Sequence, residues 1–303
     1  MTTKAETDLT GKAETQLAPH PSHQADECWC PLDGYRVRYL RRGSGPALLL
    51  LHGLLGYSFS WRYTLPVLAE RATVFAVDMP GAGFSDRPPN LDCSIRTQAD
   101  RLLRFADGVG VTSFDLLGTS HGGAVAMMAA ACAPARVRSL ILVAPVNPWS
   151  AHGRRLAPFV SRTLVSSLIL RLGPGLRLAH DLALQRLYGD RKRIRPGTLE
   201  GYSAPLGIPG ALEYGVGVTR SWNRDLQELE SALPRIAHVP TLLIWGSKDA
   251  AVDPASAEDL RRQFTDCRIE IFDGVGHLPY EEVPDQFNSA VVGFLSSHPQ
   301  KIS

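Results

Sequence analysis

Charge of one sign is what this chain has little of: 32 lysines and arginines stand against 30 aspartates and glutamates, a formal net charge of +2. That balance gives no field to draw in nucleic acid or a strongly acidic partner. Cysteine is scarce as well. The five thiols (Cys28, Cys30, Cys93, Cys132, Cys267) are odd in number and scattered over 303 residues. They read as buried thiols in a reducing compartment rather than a disulfide framework. No apolar run reaches the roughly 18 residues that a membrane span needs, so no integral membrane segment is expected. Residues 1–26 have almost no large apolar side chains and cannot bury enough surface to offset ordering. They read as a disordered tail on a cytoplasmic protein. His20, His23, Cys28 and Cys30 lie close together there, but Cys-x-Cys is tighter than the usual zinc spacing and nothing scaffolds it. No metal or other cofactor is expected.

What the chain does have is 44% hydrophobic residues, enough for one large core, arranged in an alternating pattern. Gly34 to Leu40 alternates polar and apolar, as a half-buried antiparallel strand does. Ala47 to Leu51, Thr73 to Val77, Phe114 to Leu117 and Val137 to Val143 are short apolar runs suited to strands covered on both faces. Helical stretches lie between them, around Trp61 to Glu70, Ile95 to Val109 and His121 to Ala133. The pattern then stops. From about Pro145 to Val239 the helical segments Arg155 to Leu172, Leu176 to Tyr188 and Asp225 to Ile236 recur with no buried-strand run. Strands resume at Thr241 to Trp245 and Arg268 to Phe272, with helices at Pro254 to Phe264 and Pro284 to Leu295. This predicts an α/β fold: a mostly parallel, doubly wound sheet from residues 27–145 and 240–300, with a helical insertion over residues 146–239. The insertion leaves from the carboxyl end of a strand, where open sheets place ligand crevices.

Gly118-Thr119-Ser120-His121-Gly122 is a G-x-S-x-G pattern set between a strand and a helix. The bare pattern is weak, and its placement strengthens it. A serine lifted clear of a sheet needs a sharp turn, and glycines on both sides leave room for that turn. The helix that follows aims its positive end at a developing oxyanion. Such a serine needs a base. Of the nine histidines, only His277 follows a strand inside a tight glycine turn, Gly274-Val275-Gly276-His277. His52 reads as a packing histidine that shapes its loop. The carboxylate that orients the base is expected at Asp249, three residues past Gly246. Asp253, before Pro254, reads as a helix cap, and Asn147 has no charge to offer an imidazolium. Backbone N–H groups of His121 and Leu54 are the expected oxyanion donors. Leu55, Asn147, Trp149 and Leu278 are expected to contact substrate. The basic run Arg191-Lys192-Arg193-Ile194-Arg195 reads as a solvated turn.

Together these segments resemble the α/β-hydrolase fold family over about Gly34 to Leu295. The order Ser120, Asp249, His277 is similar to that family's nucleophile–acid–histidine order. His52-Gly53 resembles its oxyanion loop, Asp78 to Asp86 the loop after its next strand, and Gly276-His277 with Glu282-Val283-Pro284 its histidine loop. The insertion resembles its cap, which sets substrate choice. The resemblance implies a serine hydrolase with a small-molecule ester substrate, and Leu54, Leu55, Trp149 and Leu278 point to carboxylic esters with a moderate-sized apolar acyl group. Epoxide hydrolases and haloalkane dehalogenases share the layout but use aspartate where this chain has Ser120. Carbon–carbon bond hydrolases of ring-cleavage diketones are the next reading; they usually carry a bulky residue after the histidine, where this chain has Leu278. A perhydrolase-like or haloperoxidase-like side activity and a receptor on the same fold are the remaining alternatives.

Overall fold

The computed structural model describes residues 25–150, 165 and 177–298. The expected helix from Arg155 to Leu172 lies outside the described residues apart from position 165, and so does the tail up to residue 24. Strands β3 (Ala47–Leu51), β4 (Thr73–Val77), β5 (Phe114–Thr119), β6 (Val137–Val143), β7 (Thr241–Gly246) and β8 (Cys267–Phe272) come from the short apolar runs. Every residue of β5 and β7 is buried, as strands covered on both faces require. Helical crossovers separate these strands, which is what parallel pairing demands.

The eight strands run in the order β1-β2-β4-β3-β5-β6-β7-β8. The β4–β3–β5–β6–β7–β8 part is parallel, and β2 (Tyr35–Arg42) joins β4 antiparallel. Strand β1 (Asp26–Leu32) is an addition to the sequence-based expectation. It pairs antiparallel with β2 and takes the sheet's edge, where Pro31 and the charges of Asp26 and Glu27 do no harm to a central ladder. Its alternation is too short and too polar to stand out. Cys28 and Cys30 are therefore strand residues, Cys30 buried.

Helices cover both faces. On one side α2 (Ile95–Gly108) and α3 (His121–Cys132) pack into a core with Leu49, Leu51, Leu116 and Leu142. Ser94 caps α2 by accepting from the Thr97 N–H. Helix α3 is buried on all sides but its last residue, which its run of Gly, Ala and Met permits. On the other side α1 (Leu65–Leu68) and the carboxyl-terminal helix pack against Leu48, Leu50, Ile141 and Ile244. Between β6 and β7 the described elements are helical: α4 (Arg177–Arg186), α5 (Thr198–Ser203) and α6 (Ala211–Ala232), with short 3-10 turns. Helix α6 starts well before the expected Asp225, because its early glycines (Gly215, Gly217) hide it in sequence; Gly217 packs on the Cys93 side chain, where a Cβ would come within 2.7 Å of the sulfur. After β7 comes α7 (Ser256–Arg261), and after β8 come α8 (Pro279–Glu282) and α9 (Pro284–Ser297).

Candidate active site

Ser120 follows directly on β5, with φ 53° and ψ −122°, a backbone conformation that β-carbon-bearing residues avoid. The turn is held by backbone alone. The Ser120 N–H donates to Val143 O, and its carbonyl accepts from Gly123 N and Val146 N. Glycine is obligatory around it for a visible reason. A Cβ on Gly122 would sit 2.3 Å from His52 O, one on Gly118 2.5 Å from Gly122 O, and one on Gly123 2.6 Å from the Pro145 Cβ.

His277 leaves the end of β8 and Asp249 the end of β7, neighbours in the sheet. Asp249 Oδ2 accepts from His277 Nδ1 at 2.7 Å, and its other oxygen accepts from Ala251 N and Val252 N. Both side chains are buried. A carboxylate only accepts, so Nδ1 carries a proton, and the neutral ring has its lone pair on Nε2. Ser120 and His277 line one cavity, with no hydrogen bond between hydroxyl and ring in this arrangement. Asp253 points elsewhere, its Oδ1 accepting from Ala255 N at the approach to α7.

A pair of carboxylates stands behind this loop; Glu282 lies in the segment that resembles the family's histidine loop, but the burial and pairing of the two were not among the sequence-based expectations. Buried Glu282 accepts from Gly276 N at 2.7 Å, Gly189 N at 3.0 Å and Asp190 N at 3.2 Å, and Arg193 approaches to 3.4 Å. It ties the residue before His277 to the insertion. Buried Glu281 pairs with Arg62 and accepts from the Tyr202 hydroxyl. The basic run is thus divided: Arg191 and Lys192 are exposed, whereas Arg193 reaches inward. Acidic residues after a histidine motif look like ordinary helix surface, so no local signal marks them as buried.

His52 is buried, and its Nδ1–H donates to Gly53 O while Nε2 accepts from Met79 N. Both ring nitrogens are committed to shaping the loop, and burial pushes its pKa down. Leu54 follows in that loop and lines the cavity. His121 opens α3, so its main-chain N–H has no acceptor a turn earlier. Its ring lies parallel to Trp222, is buried, and is pushed down to about 3 chiefly by desolvation. Asp78, in the loop that resembles the family's structural one, is buried and accepts from Ser58 N, Phe84 N and Arg38.

The shared cavity measures about 290 Å³. Leu54, Leu55 and Leu278 line it. Asn147 and Trp149 do not, although their neighbours Val146 and Ser150 do. Asn147 is wholly buried and spent on Pro145 O, Ser256 Oγ and Trp149 N, and Trp149 packs into the core under the sheet. The opposite wall comes from the insertion: His180, Leu184, Leu187, Tyr202 and Trp222. Among the described residues, no lining side chain is Asp, Glu, Lys or Arg, and no group of three or more His, Cys, Asp or Glu side chains is placed to hold a metal ion. Nor is any helix among them long and apolar enough to cross a membrane.

A sheet of this order, with a strained Ser120 after β5 and a histidine–aspartate pair at the same rim, defines a class. Residues 46–168 match the family model described as the alpha/beta hydrolase fold. The chain belongs to the α/β-hydrolase fold family. It is 31% identical to the dihydrolipoyllysine-residue acetyltransferase component of an acetoin cleaving system from Cupriavidus necator, covering 85% of this chain and 66% of that protein. The chain therefore spans just under two thirds of that relative's length. It is 27% identical to human monoacylglycerol lipase ABHD6 (89% and 85% covered) and 26% identical to haloalkane dehalogenase 2 of Mycobacterium bovis (92% and 96%). Among solved structures, a membrane phospholipase A described as a bacterial virulence factor aligns with TM-score 0.76 at 26% identity, covering 92% and 88%. Lipases and dehalogenases both appear among the relatives, with an epoxide hydrolase among the structural neighbours.

Proposed function

We propose that this chain is a serine hydrolase that cleaves neutral carboxylic esters through an acyl-enzyme on Ser120. The observation that carries the reading is the Asp249–His277 hydrogen bond of 2.7 Å at the rim of the cavity that Ser120 also lines. His277 Nε2 takes the hydroxyl proton as Ser120 Oγ attacks the ester carbonyl. Asp249 stabilises the imidazolium through Nδ1–H, and the N–H groups of Leu54 and His121 receive the oxyanion. Collapse expels the alkoxide, which takes the proton from His277. Water then attacks the acyl-enzyme by the same route in reverse. The hydroxyl–imidazole hydrogen bond forms in this scheme when substrate is bound, as catalytic hydrogen bonds often do.

Among the described residues the cavity wall holds no Asp, Glu, Lys or Arg side chain, which supports a neutral, moderately apolar substrate, held by Leu54, Leu55, Val146 and Leu278 on the core side. The helical insertion, residues 146–239, acts as its cap. Aspartate-based dehalogenation and epoxide opening are disfavoured: a serine ether cannot be hydrolysed as an aspartyl ester can. The monoacylglycerol lipase among the relatives supports ester chemistry.

The test is a p-nitrophenyl ester series of varied acyl length, with a ring-cleavage diketone in the same panel. Wild type is expected to turn over short and medium esters, and Ser120→Ala to lose at least about 10⁴-fold in kcat. Undiminished turnover by Ser120→Ala rejects the nucleophile; diketone cleavage without ester cleavage replaces the substrate class.

A further inference from the structure

The wall facing Ser120 contains a polar group that ester cleavage by Ser120, His277 and Asp249 does not use. Helix α4 and the turn that follows it present one face to the cavity, since His180, Ala183, Leu184 and Leu187 all line it at three- and four-residue spacing. One end of this face is pinned: the His277 N–H donates to Leu187 O at 2.7 Å. His180 lies seven residues earlier, about 10 Å along the helix axis from that anchor, and lines the same cavity as the proposed base. Its Nδ1 is 3.3 Å from Asp181 Oδ1, with both side chains largely buried. The carboxylate can only accept, so Nδ1 carries a proton, and in the neutral ring Nε2 keeps a lone pair. Among the described residues, no hydrogen bond to Nε2 is made.

The other polar groups on helices α4 to α6 that border the cavity are occupied or sealed. The Tyr202 hydroxyl donates to Glu281 and accepts from Ser60. The Trp222 indole N–H is buried. A helix face that is otherwise alanine and leucine carries one imidazole, backed by a carboxylate, at the end opposite the Leu187 anchor. A purely apolar substrate would leave that nitrogen desolvated and unpaired, which is unfavourable.

We infer that His180 is a specificity-determining residue that accepts a hydrogen bond from a substrate hydroxyl or amide N–H remote from the scissile carbonyl. The substrate class is then a neutral ester whose chain bears such a donor at its far end. This rests on the ester-hydrolase reading, and the experiment separates the two. Two matched series are compared at each chain length. One is p-nitrophenyl esters of ω-hydroxy acids against unsubstituted acids, and the other is butyrate esters of ω-hydroxy alcohols against plain alcohols. An ω-carboxylate member is included in each.

For wild type, at one chain length or more, the hydroxylated ester is expected to exceed its plain counterpart in kcat/KM by about 3- to 10-fold, as one neutral hydrogen bond gives. The gain should fall mainly in KM, and the carboxylate member should be disfavoured. His180→Phe should bring the ratio to about one, and His180→Gln, which keeps an acceptor, should restore part of it. Because the readout is a ratio on active enzyme, a folding defect does not mimic it. A ratio near one in both series for wild type, a ratio unchanged by His180→Phe, or preference for the carboxylate overturns the inference while leaving the ester reading intact. No turnover of any ester overturns both.

Discussion

The two corners of the site are built by opposite means. Around Ser120 the turn is fixed by main-chain hydrogen bonds and by glycines that approach neighbouring atoms too closely to carry a Cβ. The two histidines beside it, His52 and His121, are buried with their pKa values pushed down. Around His277, by contrast, negative charge collects. Asp249 holds the ring, Glu282 holds the main chain just before it, and Glu281 anchors the next turn to Arg62 and Tyr202. The difference follows from what each corner must tolerate in the proposed chemistry. An oxyanion is best met by fixed dipoles with no competing anion nearby, whereas an imidazolium needs a carboxylate. One corner should therefore be sensitive to volume and the other to charge.

Substitutions can break that contrast, beginning with the largest effect. Asp249→Asn should lower kcat on esters by about 10³- to 10⁴-fold with little change in fold, and Asp253→Asn should stay within about 2-fold; equal losses would remove the distinction between the two acids. Gly122→Ala, which adds one methyl and no charge, should destabilise the protein by about 4 kcal/mol or more, because the new atom meets the backbone of His52 and Leu51. Denaturant unfolding measures it, and a loss below about 1 kcal/mol would contradict the steric account. Glu282→Ala should cost about 2–4 kcal/mol and lower kcat by roughly 10-fold, with Glu282→Gln recovering part of both.

A pH profile tests the corner around Ser120. With the folded pKa of His121 depressed to about 3 and the unfolded value near 6.5, the unfolded state binds the proton first. Stability from this group is fully present above pH 6.5 and is lost as pH falls from there towards 3. The slope is on the order of 1.4 kcal/mol per pH unit for a single group. His121→Phe should flatten that part of the stability profile; an unchanged slope would place the acid lability elsewhere.

The same contrast explains how much could be read from sequence. The sheet was legible because runs such as Ala47 to Leu51 and Val137 to Val143 bury both faces and admit few other readings. The placement of Ser120, Asp249 and His277 at one rim of the sheet was legible because each stands just past a strand that ends beside a glycine-bearing turn. The edge strand β1 was not, since Pro31 and two acidic residues mask its alternation. The start of α6 was hidden by Gly215 and Gly217, kept small for close packing rather than for a turn. Asn147 and Trp149 were expected to contact substrate and do not line the cavity, because a short loop turns Val146 and Ser150 to it instead. His180, Tyr202, Glu281 and Glu282 depend on how the insertion docks against the histidine loop. That contact joins residues roughly 80 to 100 positions apart and leaves no periodicity to find.

The central claim is that Ser120 is the reacting group, and a fluorophosphonate tests it without assuming any substrate. Protein treated with the reagent is digested and the adduct located by mass spectrometry, with Ser120→Ala and His277→Ala in parallel. The account predicts one stoichiometric adduct on Ser120, absent from Ser120→Ala and formed far more slowly in His277→Ala. An adduct on another residue, or labelling of wild type no faster than of His277→Ala, would contradict it.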